Sequence, residues 1–268
     1  MGQYYIAGNL DKKQKFQFDG VKLMEFSWVG NKSMQAFAAL MAGAWKGDAV
    51  YVVGDYADMT EGPYDGDDAW LPQLEAVLRD LGITDAKYVS EHDGREYPYS
   101  LYRHIDDTFE DVTAEAMQRA TEGESLRYIL NPELGVYVDL EHCPADSVSY
   151  WAEDDEAFAW RVHPLSLLLA MGNGRGGGDF GGHFAPFVDL HADRRAIRRS
   201  TNHTVGAWTG TAASIRFAKT GEESALAGLQ EWQPAFSEVK EPVPWQDIPS
   251  KIAETVAKGR DKSAKEAM

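Results

Sequence analysis

The sequence predicts an α+β fold in which helices pack against an antiparallel or mixed sheet. Short strand-like runs alternate along the chain with runs of helical periodicity. Segments typical of a hairpin, a helix and a strand also recur in the same order, which indicates a pseudo-duplicated core. A chain of 268 residues that is 44% hydrophobic can form one large domain or two small ones. We expect a single domain over residues 1–240.

The first copy of the unit is expected over residues 1–57. The runs Tyr4–Ala7 and Gln14–Phe18 favour two strands joined by a turn at Asn9–Lys12. The stretch "VKLMEFSWVG" indicates another strand, and Ser33 is expected to cap a buried helix over "MQAFAALMAGAW". The β-rich run "DAVYVVGDYADM" completes the copy and ends in acidic residues.

The second copy is expected over residues 126–220. The stretch "RYILNPELGVYVDL" matches the first hairpin, and "HPLSLLLAMG" takes the place of the first helix. Gly43-Ala44-Trp45 recurs as Gly206-Ala207-Trp208, and a glycine follows two residues later in each case. The alternative is chance similarity among small, aromatic and β-branched residues.

An acidic insertion over residues 58–125 separates the two copies. It favours a helix over "WLPQLEAVLRDLG" that ends at Gly82, a hairpin that turns at Asp93-Gly94, and a helix over "DVTAEAMQRATEG". After the second copy, "EPVPWQDIP" breaks regular structure and few apolar residues follow it. We therefore expect a loosely packed or frayed tail over residues 241–268.

Charge and composition exclude several classes of partner. The net charge is −17, and residues 51–160 hold 27 acidic and 6 basic side chains, a field that repels nucleic acid. The longest apolar run is too short to cross a bilayer, so we expect no membrane partner. The chain lacks a secretory signal pattern and has a single cysteine, Cys143, which predicts a cytoplasmic location. The acidic middle is interpreted as a solubilising face; a docking surface for a basic protein and weak calcium sites are the alternatives.

The main functional lead is "GNGRGGGDFGG", residues 172–182, in which seven of eleven residues are glycine. This stretch opens an insertion into the second copy. A single residue separates Met41 from Gly43, whereas 34 residues lie between Met171 and Gly206. Long excursions held by a rigid scaffold often carry function.

The chemistry of this insertion suits a small anion, such as a nucleotide or a phosphorylated metabolite. Successive glycines can direct several backbone N–H groups to one point, and guanidinium groups bind phosphate through two donors at once. The alternative is that the glycines only permit a tight path and that the arginines pair with the acidic middle. The predicted ligand-binding residues are Gly174, Arg175, Gly176, Gly177, Gly178, Asp179, Arg194, Arg195 and Arg198, with Arg199 as a further candidate.

Other motifs in this region favour no established class of site. The glycines formally fit G-x-G-x-x-G, but a dinucleotide site needs a strand before it and a helix after it, and the preceding run is interpreted as helix. Asp189, His191 and Asp193 would share one face of a strand and could bind a metal ion, yet the pattern is short and we predict no metal site. No particular cofactor is indicated.

Two further function classes remain open. A hydrolase or transferase could use Asp179, Asp55 or His183 as acid–base groups or metal ligands, and the acidic middle could bind a basic protein. A cysteine nucleophile is not expected, because nothing in the sequence supplies a group that orients His142 beside Cys143.

The segments "MGQYY…NLDK", "KLMEFSWVGN", "VGDYAD" and "GNGRGGGDF" resemble an uncharacterised group of bacterial proteins. The resemblance covers the scaffold pieces of both copies, and the NGRGGGD segment is its most specific part. It implies a soluble bacterial protein whose glycine loop belongs to the common plan of the fold. It implies no activity and therefore no catalytic residue.

Overall fold

The fold is known from a computed structural model, which describes residues 4–55, 57, 71–84, 86–89, 94, 96–143, 145–146, 160–172 and 206–232. These residues form helices and mixed sheets, so the predicted α+β class is confirmed. No helix in the described ranges is long and apolar enough to cross a membrane.

The strands are β1 (Tyr4–Asn9), β2 (Gln14–Lys22), β3 (Val50–Gly54), β4 (Lys87–Val89), β5 (Glu96–Pro98), β6 (Glu110–Asp111), β7 (Leu126–Asn131), β8 (Val136–Asp139), β9 (Ala145–Asp146), β10 (Trp160–Arg161), β11 (Ala170–Met171), β12 (Arg216–Lys219) and β13 (Gln230–Glu231). The helices are α1 (Leu23–Phe26), α2 (Lys32–Ala42), α3 (Leu71–Asp80), α4 (Leu101–Thr108), α5 (Thr113–Met117), α6 (Ala120–Glu124) and α7 (Leu165–Leu168). Two short 3₁₀ helices flank β12, at Ala212–Ser214 and Glu223–Leu226.

Two sheets dominate the architecture. One has the strand order β11-β3-β1-β2-β6, and the other has the order β12-β7-β8-β13. The pairs β11–β3, β2–β6 and β8–β13 are parallel, whereas both long hairpins are antiparallel, so each sheet is mixed. The hairpin β4–β5 and the pair β9–β10 form small separate ribbons.

The core surrounds helix α2, which is buried from Ser33 to Met41. Its Phe37 ring lies against Phe16 and Phe18 of strand β2, and Phe18 stacks on Phe26 with 4.0 Å between the ring centroids. A second apolar cluster includes residues of β1, β3, α3 and α4. The first sheet therefore joins two apolar clusters and forms a rigid support.

Equivalent hydrogen bonds occur in the two long hairpins. Asn9 ends β1 and Asn131 ends β7, and both side chains are fully buried. In each case the side-chain oxygen accepts the backbone amide three residues later. The side-chain amide of Asn9 donates to Asp48, and that of Asn131 donates to Thr211, both at 2.8 Å. Each buried asparagine thus joins its hairpin turn to the residues that lie shortly before β3 or β12.

The recurrence extends to the Gly-Ala-Trp segments. The backbone amides of Trp45 and Trp208 donate at 2.8 Å to the last turns of α2 and α7, respectively. Gly47 and Gly210 have nearly equal φ angles of 89° and 87°, which glycine adopts most readily. Strands β6 and β13 also pair in parallel with the first residues of β2 and β8. Internal duplication remains our interpretation of these equivalences.

Several expectations about single elements are wrong. The separate strand expected over "VKLMEFSWVG" does not form: β2 continues to Lys22, and helix α1 follows it. The helical turn begins there because the Glu25 carboxylate accepts the Lys22 amide at 2.8 Å. Asn31, not Ser33, caps α2, and its oxygen accepts two backbone amides.

Helix positions in the acidic region differ as well. The single helix expected over "DVTAEAMQRATEG" is divided into α5 and α6, both of which pack on α2. Helix α4 was not predicted. Its first turn is capped by the Ser100 hydroxyl, which accepts the Arg103 amide at 3.1 Å. Leu101 and Ile105 are buried on one face of the helix. The acidic residues 58–70 and the C-terminal tail, 241–268, lie outside the described residues.

Candidate functional site

The glycine-rich segment begins at the end of a strand, not at the end of a helix. Helix α7 ends at Leu168, and the carbonyl of Leu169 accepts the amide of Val52 at 3.2 Å. Strand β11 then pairs in parallel with β3, and Met171 lies opposite Val53. The helix expected up to residue 171 is therefore wrong, because hydrogen bonds to the edge of β3 replace those of further helical turns.

Strand β11 bears on nucleotide binding at the glycine-rich segment. A strand does precede Gly172, as a glycine-rich phosphate loop requires. The residues that would form the subsequent helix lie outside the described part of the chain. The element before Gly172 therefore gives no reason against a phosphate-binding loop at this position.

The root of the insertion lies at the carboxyl ends of two parallel strands, β3 and β11. Ligands in open sheets bind beyond such ends. Asp55 follows β3 directly; its carboxylate accepts the Tyr4 amide at 3.1 Å, and its own amide donates to the Tyr4 carbonyl at 3.0 Å. Asp55 is thus held against the start of β1 by two hydrogen bonds.

Tyr102 provides a neutral polar group near this root. Burial raises the pKa of its hydroxyl to about 12, and the negative charges of Asp106 and Asp55 add to the effect. The hydroxyl therefore stays protonated at neutral pH and remains able to donate a hydrogen bond. Its helix, α4, shares a buried apolar cluster with Met171 through Leu101.

The other end of the insertion is fixed to the same elements. The amide of Gly206 donates to the Leu167 carbonyl in α7 at 2.8 Å. The Trp208 side chain is 2% exposed, and its ring centroid lies 5.8 Å from that of Trp232. The Thr209 hydroxyl donates to the Ala170 carbonyl at 3.4 Å. The chain therefore leaves and re-enters the scaffold at adjacent points.

The predicted ligand-binding residues all belong to the insertion between Gly172 and Gly206. They lie outside the described residues, as do Asp58, His183, Asp189, His191 and Asp193. Their roles, including those of Gly174, Arg175, Gly176, Gly177, Gly178, Asp179, Arg194, Arg195, Arg198 and Arg199, stay predictions. In the described part of the chain, no group of three or more histidine, cysteine or acidic residues could hold a metal ion.

His142 has a partner that the sequence analysis missed. Its Nδ1 lies 2.6 Å from the Glu231 carboxylate, and the two residues are 89 positions apart. That hydrogen bond raises the pKa of His142, and the charges of Asp139 and Glu231 add to the effect. Burial raises the pKa of the neighbouring Cys143 thiol, so the thiolate is disfavoured and Cys143 is not an activated nucleophile.

We expect the His142–Glu231 pair to make stability depend on pH. The folded-state pKa of His142 lies above the ordinary value of 6.5, so its stabilisation is complete below about pH 6.5. The stabilisation is lost as the pH rises through the folded-state value. Urea unfolding at about pH 6.5 and 8.5 should show this loss in the wild type and a smaller one in His142→Gln.

The matched control is His104→Gln, because burial lowers the pKa of His104. This variant should retain the wild-type loss of stability at high pH. An unchanged loss in His142→Gln would show that the pair is not its source.

Comparisons of the chain with protein-family models, curated proteins and solved structures gave no match.

Proposed function

We propose that the protein binds a small anionic ligand, such as a nucleotide or a phosphorylated metabolite, at the glycine- and arginine-rich insertion. One observation carries the proposal: the insertion begins at the carboxyl end of the parallel pair β11–β3. Loops rooted at that end of a rigid sheet form the ligand sites of many α/β proteins. The hydrogen bond from the Gly206 amide to the Leu167 carbonyl also supports it, because the chain resumes on the same scaffold that it leaves at Gly172.

The residue types of the insertion supply the binding chemistry. Gly174 and Gly176–Gly178 offer backbone N–H donors with little steric obstruction, and Arg175 adds a forked cation among them. Arg194, Arg195 and Arg198 add further positive charge in the same insertion. In a chain of net charge −17, this concentration of arginines favours an anionic ligand.

A second candidate function is a hydrolase or transferase with an acid–base group at the root. The position of Asp55 directly after β3 favours it, since catalytic carboxylates often follow sheet strands. The hydrogen bond from the Tyr4 amide to the Asp55 carboxylate indicates instead that Asp55 secures the start of β1. Ligand binding is therefore the better supported function.

Thermal unfolding in the presence of nucleotides and phosphorylated metabolites tests the proposal. A ligand at 100 times its dissociation constant should add about 2.7 kcal/mol of stability to the wild type. For a protein of this size, that corresponds to a rise in Tm of about 5–10 °C. Arg175→Ala should lose most of this rise, because the variant lacks the guanidinium group placed among the glycines.

Arg79→Ala is the matched control, because Arg79 is exposed near the end of α3 and does not belong to the glycine- and arginine-rich insertion. It should show the full ligand-induced rise in Tm. Equal rises in the wild type and Arg175→Ala, or no rise with any anion, would contradict binding at this segment.

A further inference from the structure

A hollow of about 220 Å³ lies between the end of helix α2 and strand β12. Met41 and Ile215, both 1% exposed, contribute to its lining. Leu126 and Phe217 also line it; both are partly buried and pack against the main core. The hollow therefore has an apolar surface formed by residues that belong to the core or rest on it.

The charged side chains around this hollow are mostly positive. Lys46, Arg216 and Lys219 contribute to its lining, and Glu222 is the single acidic residue among the described lining residues. The Glu222 carboxylate already accepts the Lys219 backbone amide at 2.8 Å. Three cations beside one carboxylate leave an excess of positive charge around the hollow, on a chain of net charge −17.

The side chains of these three cations form no ion pair with any described residue. The Arg216 guanidinium donates from Nη1 to the carbonyls of Ala213 and Ile215 at 2.8 and 2.7 Å. These bonds fix its orientation, while Nε and Nη2 donate to none of the described residues.

The surrounding backbone holds the rim in place. The backbone amide of Lys46 donates to the Gly43 carbonyl at 3.1 Å. The preceding residue, Trp45, is buried, and its ring N–H donates to the Gln14 side chain at 3.0 Å. Strand β12 is the outermost strand of its sheet, whereas the comparable strand β3 is covered by β11. Within the described ranges the outer edge of β12 pairs with no strand.

We propose that this hollow binds a small organic anion with a carboxylate or phosphate head and an apolar body. The head contacts Lys46 and Lys219, and the body lies on Met41 and Phe217. The volume is below the roughly 300–1,000 Å³ of sites for drug-sized ligands, so the occupant is a small molecule rather than a peptide strand. None of the lining residues belongs to the glycine-rich insertion, and the proposal does not depend on the function proposed for that insertion.

Methyl NMR titration of the full chain with phenyl phosphate and with benzoate tests the proposal. We expect at least one of these anions to shift the methyl resonances of Met41 and Ile215, and benzyl alcohol, which has no charge, to bind more weakly. Lys46→Gln and Lys219→Gln should each weaken the binding anion by about threefold, and the double variant by about tenfold. Lys32→Gln, at the exposed start of α2, should bind as the wild type does.

The proposal is overturned if neither anion shifts these methyl groups, or if benzyl alcohol binds as well as the anions. Equal weakening by Lys32→Gln would also overturn it, because that result indicates nonspecific attraction to surface lysines. If no probe binds and the double variant dimerises, the lysines protect the edge of β12 and form no site. Arg175→Ala should leave binding unchanged, which separates this result from a test of the insertion.

Discussion

Trp208→Ala is expected to lower the free energy of unfolding by about 3–5 kcal/mol, the usual cost of removing a buried Trp side chain. Trp208 is 2% exposed, packs beside Trp232 and follows the residue at which the insertion rejoins the scaffold. Its backbone amide is held by the last turn of α7 at 2.8 Å. Loss of the ring therefore opens the core and weakens the anchor of the insertion at the same place. Urea unfolding followed by circular dichroism measures the cost.

The neighbouring substitution Ala207→Ser is the control, because Ala207 is exposed. It should change the free energy of unfolding by less than about 0.5 kcal/mol. The anion-induced rise in Tm should also be smaller in Trp208→Ala than in Ala207→Ser. A Trp208→Ala variant as stable as the wild type would contradict the packing described around α7.

Gly123→Ala is expected to destabilise the protein by about 3 kcal/mol, at the upper end of common overpacking costs. A Cβ at Gly123 would lie 2.0 Å from the carbonyl oxygen of Gln35 and 2.7 Å from its carbonyl carbon. Both atoms belong to the backbone of α2, so no side-chain rotation relieves the overlap. The variant must separate α6 from α2 and disturb the centre of the main core. Denaturant unfolding should show a lower midpoint.

Thr121→Ala on the same helix is the control, since Thr121 is exposed. Alanine has the higher helix propensity, so this change should be neutral or slightly stabilising. A Gly123→Ala variant with wild-type stability would show that α6 does not approach α2 as closely as described.

The two long hairpins could be predicted from the sequence, because their signal lies within each hairpin. The hairpins β1–β2 and β7–β8 follow from alternating residues around turns that contain Asn9 and Asn131, and these asparagines form equivalent bonds. Helix α4 was missed because its identity depends on tertiary burial of Leu101 and Ile105. Sequence periodicity over eight residues does not distinguish such a helix from the end of a hairpin.

The site could be predicted only in part, since its framework depends on distant contacts. Strand β11 exists because its residues meet the edge of β3, more than a hundred positions earlier. The pairing of His142 with Glu231 and the meeting of Lys46 with Lys219 at one hollow also join distant segments. The glycine-rich composition of residues 172–182 is visible in the sequence alone. That this segment follows a parallel pair of strands could be seen only in the folded structure.

A crystal structure of the protein with a bound nucleotide or phosphorylated metabolite that raises its Tm tests the proposed function most directly. We predict an anionic group within hydrogen-bonding distance of backbone amides at Gly174–Gly178 and of the Arg175 guanidinium. An insertion in which Arg175, Arg194, Arg195 and Arg198 pair with carboxylates of the same chain, while the anion lies elsewhere, would contradict it.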